Sequence, residues 1–342
     1  MRTMLAVGSA VMVQLASALT LSLWAMPAAQ AASFDCAKAS SQVEQAICAN
    51  PDLSRADEVL ARAYATALGG LSDAAKAAVQ KGQREWLGFA ALACTTDAKP
   101  FRVALTDDQQ GCLNAVYRSR ISELGQSRME GDWRVYPQTS YSLVDDPDPD
   151  AYQGVATKEI SSPRIDEESE IASSFNALMD EADAAAQPDP KGEDYLTADT
   201  METTTIASVT SRRISLSMDT YWMGHGAAHG NYAITYAHYL PQQERMLTAE
   251  DLFTGNGWEA ALGKLALDEL DRTIDGGIWE ESRADVPKVA TDPSRWNFGD
   301  NGLEITFQPY EVTAYAAGAP TVTIGWDKLS DYLAPDYSNL LY

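Results

Sequence analysis

Two of the three histidines of this 342-residue chain stand four positions apart, in Gly224-His225-Gly226-Ala227-Ala228-His229-Gly230. A His-x-x-x-His pair holds a metal ion when a helix sets both rings on one face. Here the flanks are glycine and alanine, and no glutamate follows His225 as it does in zinc hydrolases. The pattern points instead to a tight hairpin, in which glycines supply positive φ and the imidazoles satisfy backbone groups. A metal-dependent hydrolase using His225 and His229 is the competing reading. No Gly-x-Ser-x-Gly elbow, phosphate-binding loop or dinucleotide fingerprint occurs. The run Asp145-Asp146-Pro147-Asp148-Pro149-Asp150 lacks the spacing and the closing glutamate of a calcium loop. Glu280 and Glu281 are adjacent, so on a helix they diverge into solvent. The sequence therefore predicts no catalytic residue, no metal and no cofactor.

What remains is recognition. Tyr310, Glu311 and Tyr315 lie in or beside a small-residue loop, 314–319. Tyrosine and tryptophan anchor interfaces because they bury a large area at little entropic cost. The alternative is that this loop packs under its own sheet. With Tyr221, Trp222, His225 and His229 these residues form the candidate partner-binding set.

The four cysteines, Cys36, Cys48, Cys94 and Cys112, all fall in residues 34–124. An even number in an exported segment reads as a disulfide framework, and four allow three pairings. Cys36–Cys48 with Cys94–Cys112 is favoured, because each closes a short loop between adjacent helix ends. The segment between them reads as helical. Ser40 or Ser41 can cap a first helix, Asn50-Pro51 starts a second, and Gly69-Gly70 ends it. Ser72 caps a third, with Ala75, Val79, Trp86 and Ala90 inward, and Thr106 to Gln109 fits a capping box for a fourth. Trp86 reads as a core anchor. The polar loop 95–105 is either a plain connector or a contact loop.

This pattern resembles the LprI-type lysozyme-inhibitor family. The shared features are Cys36 and Cys48 around a short helix, Gln83-Arg84-Glu85-Trp86-Leu87 in a long one, and Cys94 and Cys112 before a last helix bearing Tyr117. The resemblance covers residues 34–125. It implies a stapled helical fold and a periplasmic or surface protein that binds lysozyme.

The second half reads as mixed α+β with an antiparallel sheet. Strands are expected over 154–161, within 203–221 as one or two, over 232–240, 303–310 and 321–324. Helices are expected over 168–186, 258–274 and 327–333. Residues 128–152 read as a linker, because their end is acidic and interrupted by proline. Three blocks resemble the extracellular lysozyme-binding region of RsiV-type anti-sigma factors: residues 221–230, 247–253 and 302–318. That resemblance implies recognition without the signalling or catalytic parts found in such proteins.

Residues 33–127 carry ten basic and eleven acidic side chains, whereas residues 128–342 carry fourteen and thirty-eight. The net charge of −24 therefore belongs to the second half. Such a surface repels nucleic acid and attracts cationic partners, lysozyme among them; solubility or a salty habitat explains it equally well. A charged start, an apolar run over 5–26 and small residues at Ala29 and Ala31 read as a secretory signal, 1–31, rather than an uncleaved anchor. No cysteine follows the site, so a lipoprotein is not expected. The expected organisation is a signal, a stapled helical domain (33–127), a linker (128–152) and an α+β domain (153–342). The expected role is an exported periplasmic protein that binds and inhibits lysozyme, with no membrane contact beyond the signal. A module for peptidoglycan fragments or an envelope protein is the alternative. Oligomeric state is not legible.

Overall fold

The computed structural model describes residues 32–95, 105–147, 154–187 and 197–341. The expected signal at 1–31 lies outside them. Ser41 and Glu44 form a reciprocal capping box on α1 (Gln42–Ala49). Asn50 accepts from the amides of Asp52 and Leu53 to open α2 (Pro51–Ala67). Ser72 caps α3 (Asp73–Ala90), and Thr106 with Gln109 boxes the start of α4 (Asp107–Leu124). These caps satisfy amides that a first helical turn leaves unpaired. Cys36 is bonded to Cys48 and Cys94 to Cys112, as the short-loop argument expects. Trp86 is buried at the centre of the helical unit, edge-on to Tyr117 at 5.0 Å. Most of the polar loop 95–105 lies outside the described residues.

A seven-stranded sheet follows in chain order: β1 (Met129–Glu130), β2 (Trp133–Asp145), β3 (Val155–Ile165), β4 (Ala198–Val209), β5 (Ile214–Gly224), β6 (Asn231–Leu240) and β7 (Arg245–Met246). Every neighbouring pair is antiparallel except β3–β4. Those two run parallel because α5 (Glu170–Ala186) lies between them in the chain, as parallel neighbours require a crossover.

Much of the linker expected over 128–152 is strand instead, at Met129–Glu130 and Trp133–Asp145. β2 pairs with β3 all the way from Val135 opposite Ile165 to Asp145 opposite Val155. Arg134 fastens it to the end of α2, donating to the carbonyls of Ala67 and Gly69 at 3.2 and 2.8 Å. The helical unit thus passes straight into the sheet. The acidic, proline-bearing stretch misled because it starts only where β2 stops.

Successive strand residues face opposite sides, so each face has its own cover. α5 covers one face, setting Phe175 against Tyr239 at 5.4 Å and Asp180 and Asp183 each 2.7 Å from Arg164. The other face carries the helical unit over β2 and β3, where Phe89 meets Tyr141 at 5.0 Å.

Further along, the same face carries the last part of the chain. This comprises α6 (Ala249–Leu252), α7 (Trp258–Thr273), α8 (Val286–Ala290), β8 (Trp296–Gly299), β9 (Gly302–Thr306), β10 (Thr321–Gly325), α9 (Trp326–Leu329) and α10 (Ser338–Leu341). Strands β8 to β10 form an antiparallel sheet with β9 central, around a core of Trp296, Leu303, Ile305 and Phe307. Gly302 is needed there, since a Cβ would stand 2.2 Å from the carbonyl oxygen of Ile324. β9 stops at Thr306 rather than reaching Tyr310, which itself takes a left-handed φ of 66°, outside the strand region. His238 joins the two sheets: its Nε2 lies 2.9 Å from the Trp296 carbonyl and its Nδ1 2.8 Å from the Ser215 hydroxyl. Burial pushes this imidazole down to about 3, so it is neutral, with Nε2 the donor to the carbonyl.

Candidate functional site

Tyr315 is the hub of an aromatic platform at the β5–β6 end of the sheet. His229 stacks on it at 4.5 Å, Tyr310 lies 5.3 Å away and Tyr232 meets it edge-on at 6.2 Å. Gly230 holds the group together. Its carbonyl accepts the Tyr315 hydroxyl at 2.9 Å and lies 2.8 Å from His229 Nδ1. The Tyr221 ring lies so close over Gly230 that any side chain at this position would have to displace it. Tyr310 is half exposed, and its left-handed backbone conformation carries the ring outward. Such conformations cluster at binding sites, where the surrounding structure holds them in place. The loop is anchored by Gln308, whose side-chain amide makes both backbone hydrogen bonds of Ile234, at 2.8 and 2.6 Å. A side chain here stands in for a neighbouring strand along the outer edge of β6.

Tyr221 also belongs to a second feature. Register places Tyr141, Glu159, Met201, Tyr221 and Tyr232 in one row across β2, β3, β4, β5 and β6. Between the helical unit and the sheet, the middle of this row floors a crevice of about 610 Å³. The wall is α4, with Val116, Ser119 and Glu123; Phe89 of α3 also lines it. Beside Glu159 a polar network is buried: Arg120 donates to Glu123 at 2.9 Å, to Gln83 at 3.1 Å and to the Tyr141 hydroxyl at 3.1 Å. Tyr141 donates to Glu123 at 2.8 Å. Burial, and then the charge of Glu123, push the Glu159 carboxyl up to about 8. Neither Glu159 nor Asp199 was singled out by the sequence. Only the register of β3 against β4 shows that they share a face.

The candidate residues fall into three groups. Tyr221, His229, Tyr310 and Tyr315 come together on the platform. Trp222 is exposed, but as the next residue on β5 it points to the opposite face. His225 and Glu311 are turned inward. The His225 side chain is 4% exposed, with Nδ1 on Asp146 and Nε2 3.6 Å from Asp199. Glu311 forms a two-pronged pair with Arg295, at 2.9 and 3.0 Å, and accepts the Gln308 amide at 2.7 Å. These two shape the site from behind. No group of three or more potential metal-ligating side chains is present among the described residues.

Residues 35–124 match the family model for lysozyme inhibitor LprI. Residues 250–327 match that of a protein of unknown function, DUF3298. No curated protein matches the chain. Among solved structures, it is similar to a DUF3298 family member from Bacteroides fragilis, at 14% identity and a TM-score of 0.46, covering 61% of this chain and 96% of that one. A DUF3298 family protein from Pseudomonas aeruginosa is similar at 14% identity and a TM-score of 0.44, covering 60% and 96%. The LprI match begins just before Cys36 and ends with α4, so it encloses both disulfides.

Proposed function

We propose that this chain is an exported cell-envelope protein that binds lysozyme and blocks it through a non-covalent interface. The match of residues 35–124 to the lysozyme inhibitor LprI family carries the reading. Both disulfides lie in that segment and fit an oxidising compartment, periplasmic or extracellular. The RsiV-type likeness of the second half implies the same partner. The platform of Tyr310, Tyr315 and His229 supplies rigid aromatic anchors on an acidic half, suited to a basic protein. No covalent step is required. Tyr221, His229, Tyr310 and Tyr315 are the assigned contact residues.

The test is lysis of bacterial cells by a c-type lysozyme with increasing amounts of the protein, alongside a binding isotherm at two salt concentrations. Saturable inhibition that weakens at higher salt is expected, because surface attraction is screened. Unchanged lysis and no binding to lysozymes of any class would remove the proposal. Retention on purified cell wall without lysozyme would favour the peptidoglycan module instead.

A further inference from the structure

We propose that the crevice between α4 and strands β3 to β5 receives one lysine or arginine side chain of a protein partner, with its charged head on Glu159 and Asp199. This deepens the reading of a basic partner and rests on it for the partner's charge alone. The crevice has the required composition. Its walls are mostly apolar, with Phe89, Val116 and Met201 placed to take a methylene stem. Its carboxylates are Glu123, Glu130, Glu159, Asp199 and Asp219, and among the described residues no lysine or arginine lines it.

Two of those carboxylates are already neutralised: Glu123 by Arg120 and Glu130 by Arg128, at 2.9 and 2.5 Å. Glu159 makes no hydrogen bond or ion pair with any described residue. Asp199 uses only Oδ1, which accepts the Thr157 amide and hydroxyl at 2.9 and 2.7 Å. Behind it, His225 Nε2 is buried without a hydrogen-bond partner and is directed at the same oxygen, 3.6 Å away. The site therefore offers two carboxylates on adjacent strands with spare acceptor capacity, in a half-enclosed apolar space. Arg120 is already paired with Glu123, so a charge on Glu159 is incompletely balanced and costly there, and an incoming cation relieves the cost. Neutral ligands of the same shape gain only the apolar contact.

The groups facing Glu159 are Arg120 and Glu123 from α4, Tyr141 from β2, Asp199 from β4, and Tyr221 and Asp219 from β5. Its carboxyl holds a proton up to about 8. A bound cation displaces that proton, so affinity should rise as pH approaches 8.

The test titrates N-acetyl-arginine amide and N-acetyl-lysine amide into the full protein, followed by NMR of the Met201 methyl and Tyr221 ring, with N-acetyl-citrulline amide as the neutral match. Saturable shifts with the two cations, at least tenfold weaker with citrulline and at least tenfold weaker in Glu159→Gln, are expected. Met201→Trp, which fills the crevice and leaves the charges, should also abolish them. Equal binding of citrulline, wild-type binding by both variants, or no saturable shift overturns the proposal. In parallel, lysozyme affinity should fall about tenfold in Glu159→Gln. If the wild type binds no lysozyme, the reading under Proposed function fails while the small-ligand titration still decides the crevice. If both variants bind lysozyme as the wild type does, the crevice is not used and the platform alone is the interface.

Discussion

Tyr141 and Glu159 stand directly opposite each other on β2 and β3, and the Tyr141 hydroxyl donates to Glu123 rather than to Glu159. That choice divides the buried polar groups in two. On one side, Arg120, Glu123, Gln83 and Tyr141 saturate one another and weld α4 and α3 to the sheet. On the other, Glu159 lines the crevice and takes no hydrogen bond from any of them.

The first consequence concerns stability. Arg120 and Glu123 are both almost fully buried, at 2% and 6% exposure. Removing one partner of a buried pair strands the other charge, at a cost on the order of 3 kcal/mol or more. Glu123→Ala should lose about that much in urea denaturation. The double change Arg120→Met with Glu123→Leu should recover most of it, because an apolar replacement strands nothing. Equal losses in the single and double variants would show that packing, not charge pairing, holds this junction.

A second consequence is a stability profile with two opposed limbs. Glu159 is raised from its ordinary 4.5 to about 8, by burial and then by Glu123, so the folded chain holds a proton there that the unfolded chain releases. Its contribution is whole below 4.5 and is lost as pH rises through 8. His238 is lowered from 6.5 to about 3, by burial and then by Arg213. Its contribution is whole above 6.5 and is lost as pH falls through 3. Urea midpoints should therefore decline from 6.5 to 8, and Glu159→Gln should flatten that limb alone. A variant with the wild-type alkaline slope would assign the decline to another group.

The helical half was open to sequence reasoning because its signals are local. Ser41 with Glu44, Asn50 with Pro51, Ser72, and Thr106 with Gln109 each mark a helix start within four residues. Register across a sheet is different in kind, since it depends on partners far apart in the chain. Nothing near residue 159 states that Met201 lies beside it or that Tyr221 completes the row. The two inward turns were hidden for the same reason. His225 is buried by Asp146, 79 positions earlier, and Glu311 is held by Arg295, 16 positions earlier. β2 was missed through composition, as its acidic end outweighed the aromatic and β-branched residues before it.

The platform makes a prediction about order as well as affinity. A Cβ on Gly230 would collide with the Tyr221 ring, so Gly230→Ala must displace that ring or the hairpin. The Tyr315 hydroxyl and His229 Nδ1 both depend on the same carbonyl. Gly230→Ala should therefore weaken lysozyme binding at least as much as Tyr315→Ala, each by about 2 kcal/mol, as for a central aromatic anchor. Isothermal titration measures this. Global unfolding should change less in Tyr315→Ala, whose ring lies at the surface end of the sheet. Wild-type affinity in both variants would take the platform out of the interface.

The disulfides allow a last separation, between fold and recognition. Cys36–Cys48 closes 12 positions and Cys94–Cys112 closes 18, so each restrains the unfolded chain by about 3 kcal/mol in the chain-entropy account. Replacing either pair by serine should lower the denaturation midpoint by a similar amount. The effects on binding should differ from those on stability. Cys112 lines the crevice beside Val116, whereas Cys36, before α1, and Cys48, within it, do not line it. Loss of Cys94–Cys112 should therefore weaken the binding of N-acetyl-arginine amide at temperatures where the protein is still folded. Loss of Cys36–Cys48 should leave that binding unchanged. Equal effects of the two replacements would mean that the helical unit loosens as a whole and that the wall of the crevice is not set locally.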